Sequence, residues 1–202
     1  MITSPPPSTM DALTLLHSRN SAPRLRDPAP EGDVLESILK AGLRAPDHAW
    51  LAPWRFLTIA STDREHLGKL FVKGQQAQRK VSGAAELTDG EVKKISAKPL
   101  RAPLIIVVIA SPTEHPKVPA IEQQLSAGCA AHGIMLAAHA SGYGGIWRTG
   151  DNAFNQVVMT GLGLQDHESI AGFLYIGTID GELKPIRNLS VADYSQAWPP
   201  RL

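Results

Sequence analysis

A chain of 202 residues that is 43% hydrophobic has enough apolar material for one well-buried core and falls short of two full-sized domains. Its 20 basic and 19 acidic residues leave a formal net charge of +1, which gives no global field to hold nucleic acid or an anionic membrane face, so neither is expected as a partner. The lone cysteine, Cys129, excludes an intramolecular disulfide and, set among Gly128, Ala130 and Ala131, reads as a small buried thiol in a reducing compartment.

Residues 1–9 contain three consecutive prolines, with neither a basic n-region nor an apolar h-region. They read as a disordered leader, and a single domain is expected over 10–202. From Met10 to Ser18, Leu13, Leu15 and Leu16 behind Asp11 fit a short helix, with Arg19-Asn20-Ser21 at its end. Over Pro30 to Leu43 acidic residues come early and Val34, Leu35, Ile38, Leu39 and Leu43 recur at helical spacing, an amphipathic helix that stops at Pro46. Pro53 to Ala60 reads as a strand and Asp63 to Gly74 as a helix. The polar stretch from Lys73 to Lys98 reads as mobile surface helices, either a solvated face or a lid.

Ala102 to Ala110 is continuously apolar and β-branched, the pattern of a strand buried on both faces at the centre of a sheet. It is far shorter than the ~20 residues a membrane-spanning helix needs, so a soluble, cytoplasmic protein is expected. The segment Pro119 to Gly142 is rich in Ala, Gly and Ser; its small side chains permit close approach by another backbone or a flat ligand, which makes it a candidate dimer-core helix. After the turn at Gly142 to Gly145 come Ile146 to Gly150, a helix near Asn152 to Gly161 and a last strand, Ala171 to Thr178. Tyr194 and Trp198 in the tail point to docking against something. Strands interleaved with helices give an α/β or α+β domain.

Three groups could carry chemistry. Arg19-Asn20-Ser21, with Arg24 nearby, could hold a phosphate through a forked guanidinium and a hydroxyl, or be ordinary surface residues after a helix. Arg44-Ala45-Pro46-Asp47-His48 sets a permanent cation beside an imidazole, or simply places Arg44 against a helix C-terminal dipole. Gly142 to Thr149 offers glycines for ligand approach and donors at Arg148 and Thr149, without matching a Rossmann or P-loop spacing.

Taken together, Arg-Asn-Ser, Arg-Ala-Pro-Asp-His followed by Pro-Trp, Ser-Ala-Gly-Cys-Ala and Gly-Gly-Ile-Trp-Arg resemble the small nitroreductases, flavin enzymes, over nearly everything from Met10 to Thr178. The resemblance implies a nitroreductase-like sandwich of a central mixed sheet and helices, and a helix-mediated homodimer with FMN shared between the subunits. NADH or NADPH would be the electron donor, and a small electron-poor molecule such as a nitroaromatic or quinone the acceptor. It places Arg19, Asn20 and Ser21 at the flavin phosphate and brings Arg44 and His48 from the partner chain. It has Trp147, Arg148 and Thr149 close the pocket, and puts the nicotinamide dinucleotide against Ala137, Ala138, His139, Ala140, Ser141 and Gly142. Arg44 is the residue expected to tune the flavin electrostatically. Where the family commonly has Arg-Arg-Ser this chain has Asn20, so one cationic contact is missing.

Because the flavin carries the chemistry, no catalytic side chain is expected. A metal hydrolase using His48, His115, His132 and His139 is disfavoured: His132 and His139 stand two helical turns, ~10 Å, apart, and no H-x-x-x-H or H-E-x-x-H pair occurs. A non-catalytic FMN carrier or sensor would use the same pocket without turnover.

Overall fold

The computed structural model describes residues 10–198, so the expected leader, residues 1–9, lies outside the described residues. In chain order the elements are α1 (Ala12–Ser18), β1 (Leu25–Arg26), α2 (Gly32–Gly42), β2 (Trp54–Ala60), α3 (Asp63–Ser82), α4 (Asp89–Ser96), β3 (Leu104–Ala110), α5 (Ala120–Ala140), β4 (Gly144–Arg148), α6 (Gln156–Gly161) and β5 (Ser169–Ile179). The sheet runs β1-β5-β3-β2, with β4 also pairing to β5. All pairings between these strands are antiparallel. The expected mixed character is confined to one isolated parallel bridge, Ser21 to Gly145.

Why the sheet is covered on both faces follows from β3, in which all seven residues are buried. Because side chains alternate along a strand, Ile105, Val107 and Ile109 join Leu67, Phe71, Phe173 and Tyr175 under α3, α4 and α6. Leu104, Ile106 and Val108 join Ile38, Ile134, Met135 and Leu174 under α2 and α5. The two helices of that second layer touch backbone to backbone: a Cβ at Gly133 would sit 2.9 Å from the Ala41 carbonyl oxygen, and one at Gly42 would sit 2.8 Å from Ile134. Small residues on α5 therefore serve close packing against α2. Cys129 lies on the other side of α5 and is exposed, so its expected burial is corrected: Ala127, Ala130 and Ala131 take the inward positions.

The polar stretch after Lys73 is helical and tied down. Helix α3 runs on to Ser82, ending at Gly83 in the left-handed conformation. Arg79 pairs with Glu91 and donates through Nη1 to the carbonyls of Ala85 and Glu86 at 3.1 Å each. Thr88 and Glu91 form a capping box on α4. Near Asn152 the chain makes a 3-10 turn, Asp151–Phe154, before Asn155 caps α6 through its Oδ1.

One buried ion pair braces the end of the sheet beside α6. Glu168, 8% exposed, accepts from Arg55 Nε at 2.7 Å and Nη2 at 2.6 Å, and from the Gln165 backbone amide at 2.9 Å. The Arg55 hydrogen bond is the main reason its carboxyl is pulled from 4.5 down to about 2. A carboxylate whose folded pKa is depressed stabilises fully above its unfolded value and loses that contribution as pH falls through the folded one. The whole shift corresponds to about 3 kcal/mol; screening at Arg55, whose side chain is 35% exposed, reduces the expectation to about 2 kcal/mol. Glu168→Gln should therefore lower the unfolding free energy at pH 7 by about 2 kcal/mol. It should also flatten the fall in stability between pH 4.5 and about 2. Urea titrations across that range are the check, and an unchanged slope in the variant would refute the assignment.

Candidate functional site

Strand β4 organises the site. At one end Gly145 bridges to Ser21, and its carbonyl accepts from Ala22 N at 3.0 Å. At the other, Arg148 pairs with Phe173. At ~3.3 Å per residue, Gly145 and Arg148 are roughly 10 Å apart. The motifs after α1 and after α5, more than a hundred residues apart in sequence, are thus the two ends of one strand's length.

At the Ser21 end, Ser18 Oγ lies 3.0 Å from His139 Nε2, which joins α1 to the end of α5. Burial lowers the His139 pKa, and the Arg19 charge lowers it further, so the ring is neutral at pH 7. Asn20 is engaged with its own chain: its Nδ2 donates to the Lys184 carbonyl at 2.5 Å and its Oδ1 accepts from Ser21 N at 2.9 Å. Asn20 thus ties the stretch after β5 to the stretch after α1. Of the stretch 137–142, Ala138 is packed against the sheet at 1% exposure, and Ala137 lines the same core. His139 to Gly142 form the accessible part, with Ser141 as the C-cap and Gly142 in the left-handed region at φ +82°.

At the other end, neighbouring side chains of β4 take opposite faces. The Trp147 indole donates from Nε1 to the Ala171 carbonyl at 3.2 Å, and its ring edge lies 3.9 Å from where a Cβ at Gly128 of α5 would be. Arg148 turns the other way, its Cζ 5.8 Å from the centroid of the Tyr175 ring. There it borders a cavity of about 350 Å³, with Lys98, Arg101, Thr149, Asn152 and Tyr175 also in its walls. Arg148 Nε and Asn152 Oδ1 are buried without a partner. Lys98, Arg101 and Arg148 make no ion pair among the described residues, and Asp151 is the only acidic residue in the wall. Burial raises the Tyr175 pKa, against the pull of Arg148 and Arg101.

Arg44 and His48 do not line this cavity. Both are exposed, and His48 Nδ1 lies 2.6 Å from Glu122 Oε2 in the first turn of α5. The segment after His48 is strained: Ala49, Trp50 and Ala52 have φ of 58°, 57° and 45°, a region costly for residues with a Cβ. Asp47 Oδ2 holds it by accepting from Ala52 N at 2.7 Å.

Sequence reasoning missed Lys98, Arg101, Asn152 and Tyr175. Lys98 and Arg101 sit on a 3-10 turn, Lys98–Arg101, at the end of the stretch read as solvated, and nothing in their own neighbourhood signals that they face β4. Asn152 offered a faint signal, as a polar residue two positions after the Trp147-Arg148-Thr149-Gly150 stretch; its burial appears only in the structure.

The profile of the Nitroreductase family matches residues 16–178. The protein named "Putative NAD(P)H nitroreductase YdjA" of Escherichia coli (strain K12) is 44% identical over 184 residues, covering 91% of this chain and 96% of that one. Among solved structures, a nitroreductase-like family protein from Bacillus cereus superposes with a TM-score of 0.78 at 22% identity, covering 95% of this chain and 98% of its own. A variant of the FMN- and NADPH-dependent nitroreductase NfnB gives 0.72 at 16% identity, covering 94% and 100%. At those identities the two structures speak for the fold.

The seat of Trp147 can be tested directly. A Cβ at Gly172 would lie 2.0 Å from Trp147 Nε1, so Gly172→Ala should displace the indole from Ala171 at a cost of about 1–3 kcal/mol. Tryptophan emission should shift to the red, and the shift should vanish when the change is made together with Trp147→Phe. Unaltered emission would show that the indole does not rest on Gly172.

Proposed function

Because this chain belongs to the nitroreductase family, we propose that it is an FMN-dependent oxidoreductase that moves hydride from NADH or NADPH to an electron-poor acceptor of the nitroaromatic or quinone type. Bound FMN would supply the redox chemistry, and the residues of this chain would hold and orient it. The name of the Escherichia coli relative and the cofactors of NfnB support the two cofactors.

The observation that carries the reading is the two orphaned buried atoms in the cavity wall. Arg148 Nε needs an acceptor and Asn152 Oδ1 needs a donor. A pyrimidinedione edge offers both, a carbonyl oxygen and an N–H, so the cavity's unmet hydrogen bonds fit the polar edge of a flavin. Strand β4 then leads from this edge, over a length that a ribityl chain can bridge, to Arg19 and Ser21, which would hold the phosphate. Thr149 and Trp147 would line the ring's approach, and the positive charge of Arg148, joined by that of Arg44 from a second copy, would raise the ring's electron affinity.

In this reading His139, Ala140, Ser141 and Gly142, beside Arg19, form the dinucleotide contact, with Ala137 and Ala138 supporting them from the core. A neutral His139 can exchange a hydrogen bond with Ser18 without adding a second charge next to Arg19. Arg44 and His48 would act from a second copy, held out by the strained segment behind them. Leu13 and Leu16 on α1 and Ile121 and Leu125 on α5 are exposed in the single chain and give that second copy an apolar face to bury.

Purified protein should carry FMN, run as a dimer, and oxidise NADH or NADPH faster when a quinone is added. A colourless protein that takes up no FMN would end the proposal, and FMN binding without turnover would make the chain a carrier. Arg148→Leu should weaken FMN binding about tenfold or more, the loss expected for one charged hydrogen bond, as read by flavin fluorescence in a titration.

A further inference from the structure

Lys98 and Arg101 are left over once the flavin edge has been assigned to Arg148 and Asn152. Both border the same cavity, and neither has a carboxylate partner among the described residues. Lys98 is half-buried and Arg101 exposed, so they stand towards the cavity's open side, whereas the Arg148 Nε is sealed within. Their turn is rigid: Pro99 is buried at its start, and Arg64 Nη1 fixes the following Ala102 carbonyl at 2.8 Å. Two cations held in place beside an aromatic-walled cavity, with Phe71, Phe173 and Tyr175 in its lining, form a preorganised site for a flat molecule with a negative group at its edge.

We propose, resting on the FMN reading, that Lys98 and Arg101 make the enzyme selective for aromatic acceptors bearing a carboxylate. A neutral ring of the same shape meets the same aromatic walls and leaves both cations unanswered. Because the two side chains stand at the solvent side, the preference should weaken as salt screens them over ~10 Å at 0.1 M.

The test uses shape-matched pairs. In calorimetry on the FMN-loaded protein at low salt, benzoate should bind about tenfold tighter than benzamide, and the gap should close with added sodium chloride. The Lys98→Gln/Arg101→Gln protein should bind the two alike. In turnover, the ratio of kcat/KM for 4-nitrobenzoate over 4-nitrobenzamide should fall about tenfold in that double variant. Equal binding of benzoate and benzamide by the unaltered protein, or a preference that survives the double substitution, would overturn the proposal. Repeating the calorimetry on flavin-free protein separates the two readings: failure to take up FMN defeats the redox assignment, while the benzoate preference still reports on Lys98 and Arg101.

Discussion

The pairing of β4 with β5 is the constraint from which the rest of the site follows. Residues Gly144–Arg148 lie against Phe173–Gly177 in a fixed antiparallel register, and the two-residue period of a strand then leaves Trp147 and Arg148 on opposite faces. A slip of one residue would put the guanidinium among the small residues of α5 and the indole among Lys98 and Arg101. The register is held because β5 is also paired to β3 on its other edge, inside a core where Phe173, Leu174, Tyr175 and Ile176 are all under 5% exposed. The polar site is thus specified by the apolar packing of β5 against β3.

This also explains what could be read in the sequence. The run Leu104 to Ala110 announces a doubly covered strand because every residue in it is apolar and most are β-branched, and nothing polar has to be accommodated. Helices α2 and α5 were legible from spacing and small-residue content, and the Arg-Ala-Pro-Asp-His and Gly-Ile-Trp-Arg motifs were legible as a family likeness now matched by the family profile. The length of α3 was not, because Gly74 looks like an ending. In the structure it stays helical, with its carbonyl accepting from Asn155 Nδ2 at 3.0 Å. The two-residue strand β1 was too short to show any alternation. Cys129 was misjudged because Ala and Gly neighbours on a helix do not tell which side faces the sheet.

Lys98 and Arg101 mark the deeper limit. A charge in a polar stretch carries no periodic signature, and what gives these two their meaning is the cavity they share with Arg148 of β4, about fifty residues further along the chain. Their turn is brought there by α3 and α4, whose apolar positions Leu67, Phe71 and Ile95 pack under β3 and β5. Local pattern identifies the elements, and the tertiary contact that turns ordinary surface charge into a lined cavity is settled only when those elements pack.

The two ends of β4 also differ in how their charge is balanced. At the Arg19 end, burial and the arginine's own field keep His139 uncharged, so one guanidinium stands beside a neutral hydrogen-bonding ring. At the Arg148 end, Tyr175 could in principle neutralise its neighbours by losing a proton, but burial outweighs the pull of Arg148 and Arg101 and keeps the phenol protonated. The only acidic residue in the wall, Asp151, is exposed. The excess of positive charge at this end is therefore not answered within the described chain. A folded protein tolerates such an imbalance at modest cost where solvent still reaches the cations, as it does Arg101, and at greater cost where it does not, as at the Arg148 Nε. An occupant with a polar edge would offset that cost, as the proposed flavin would at Arg148 and Asn152.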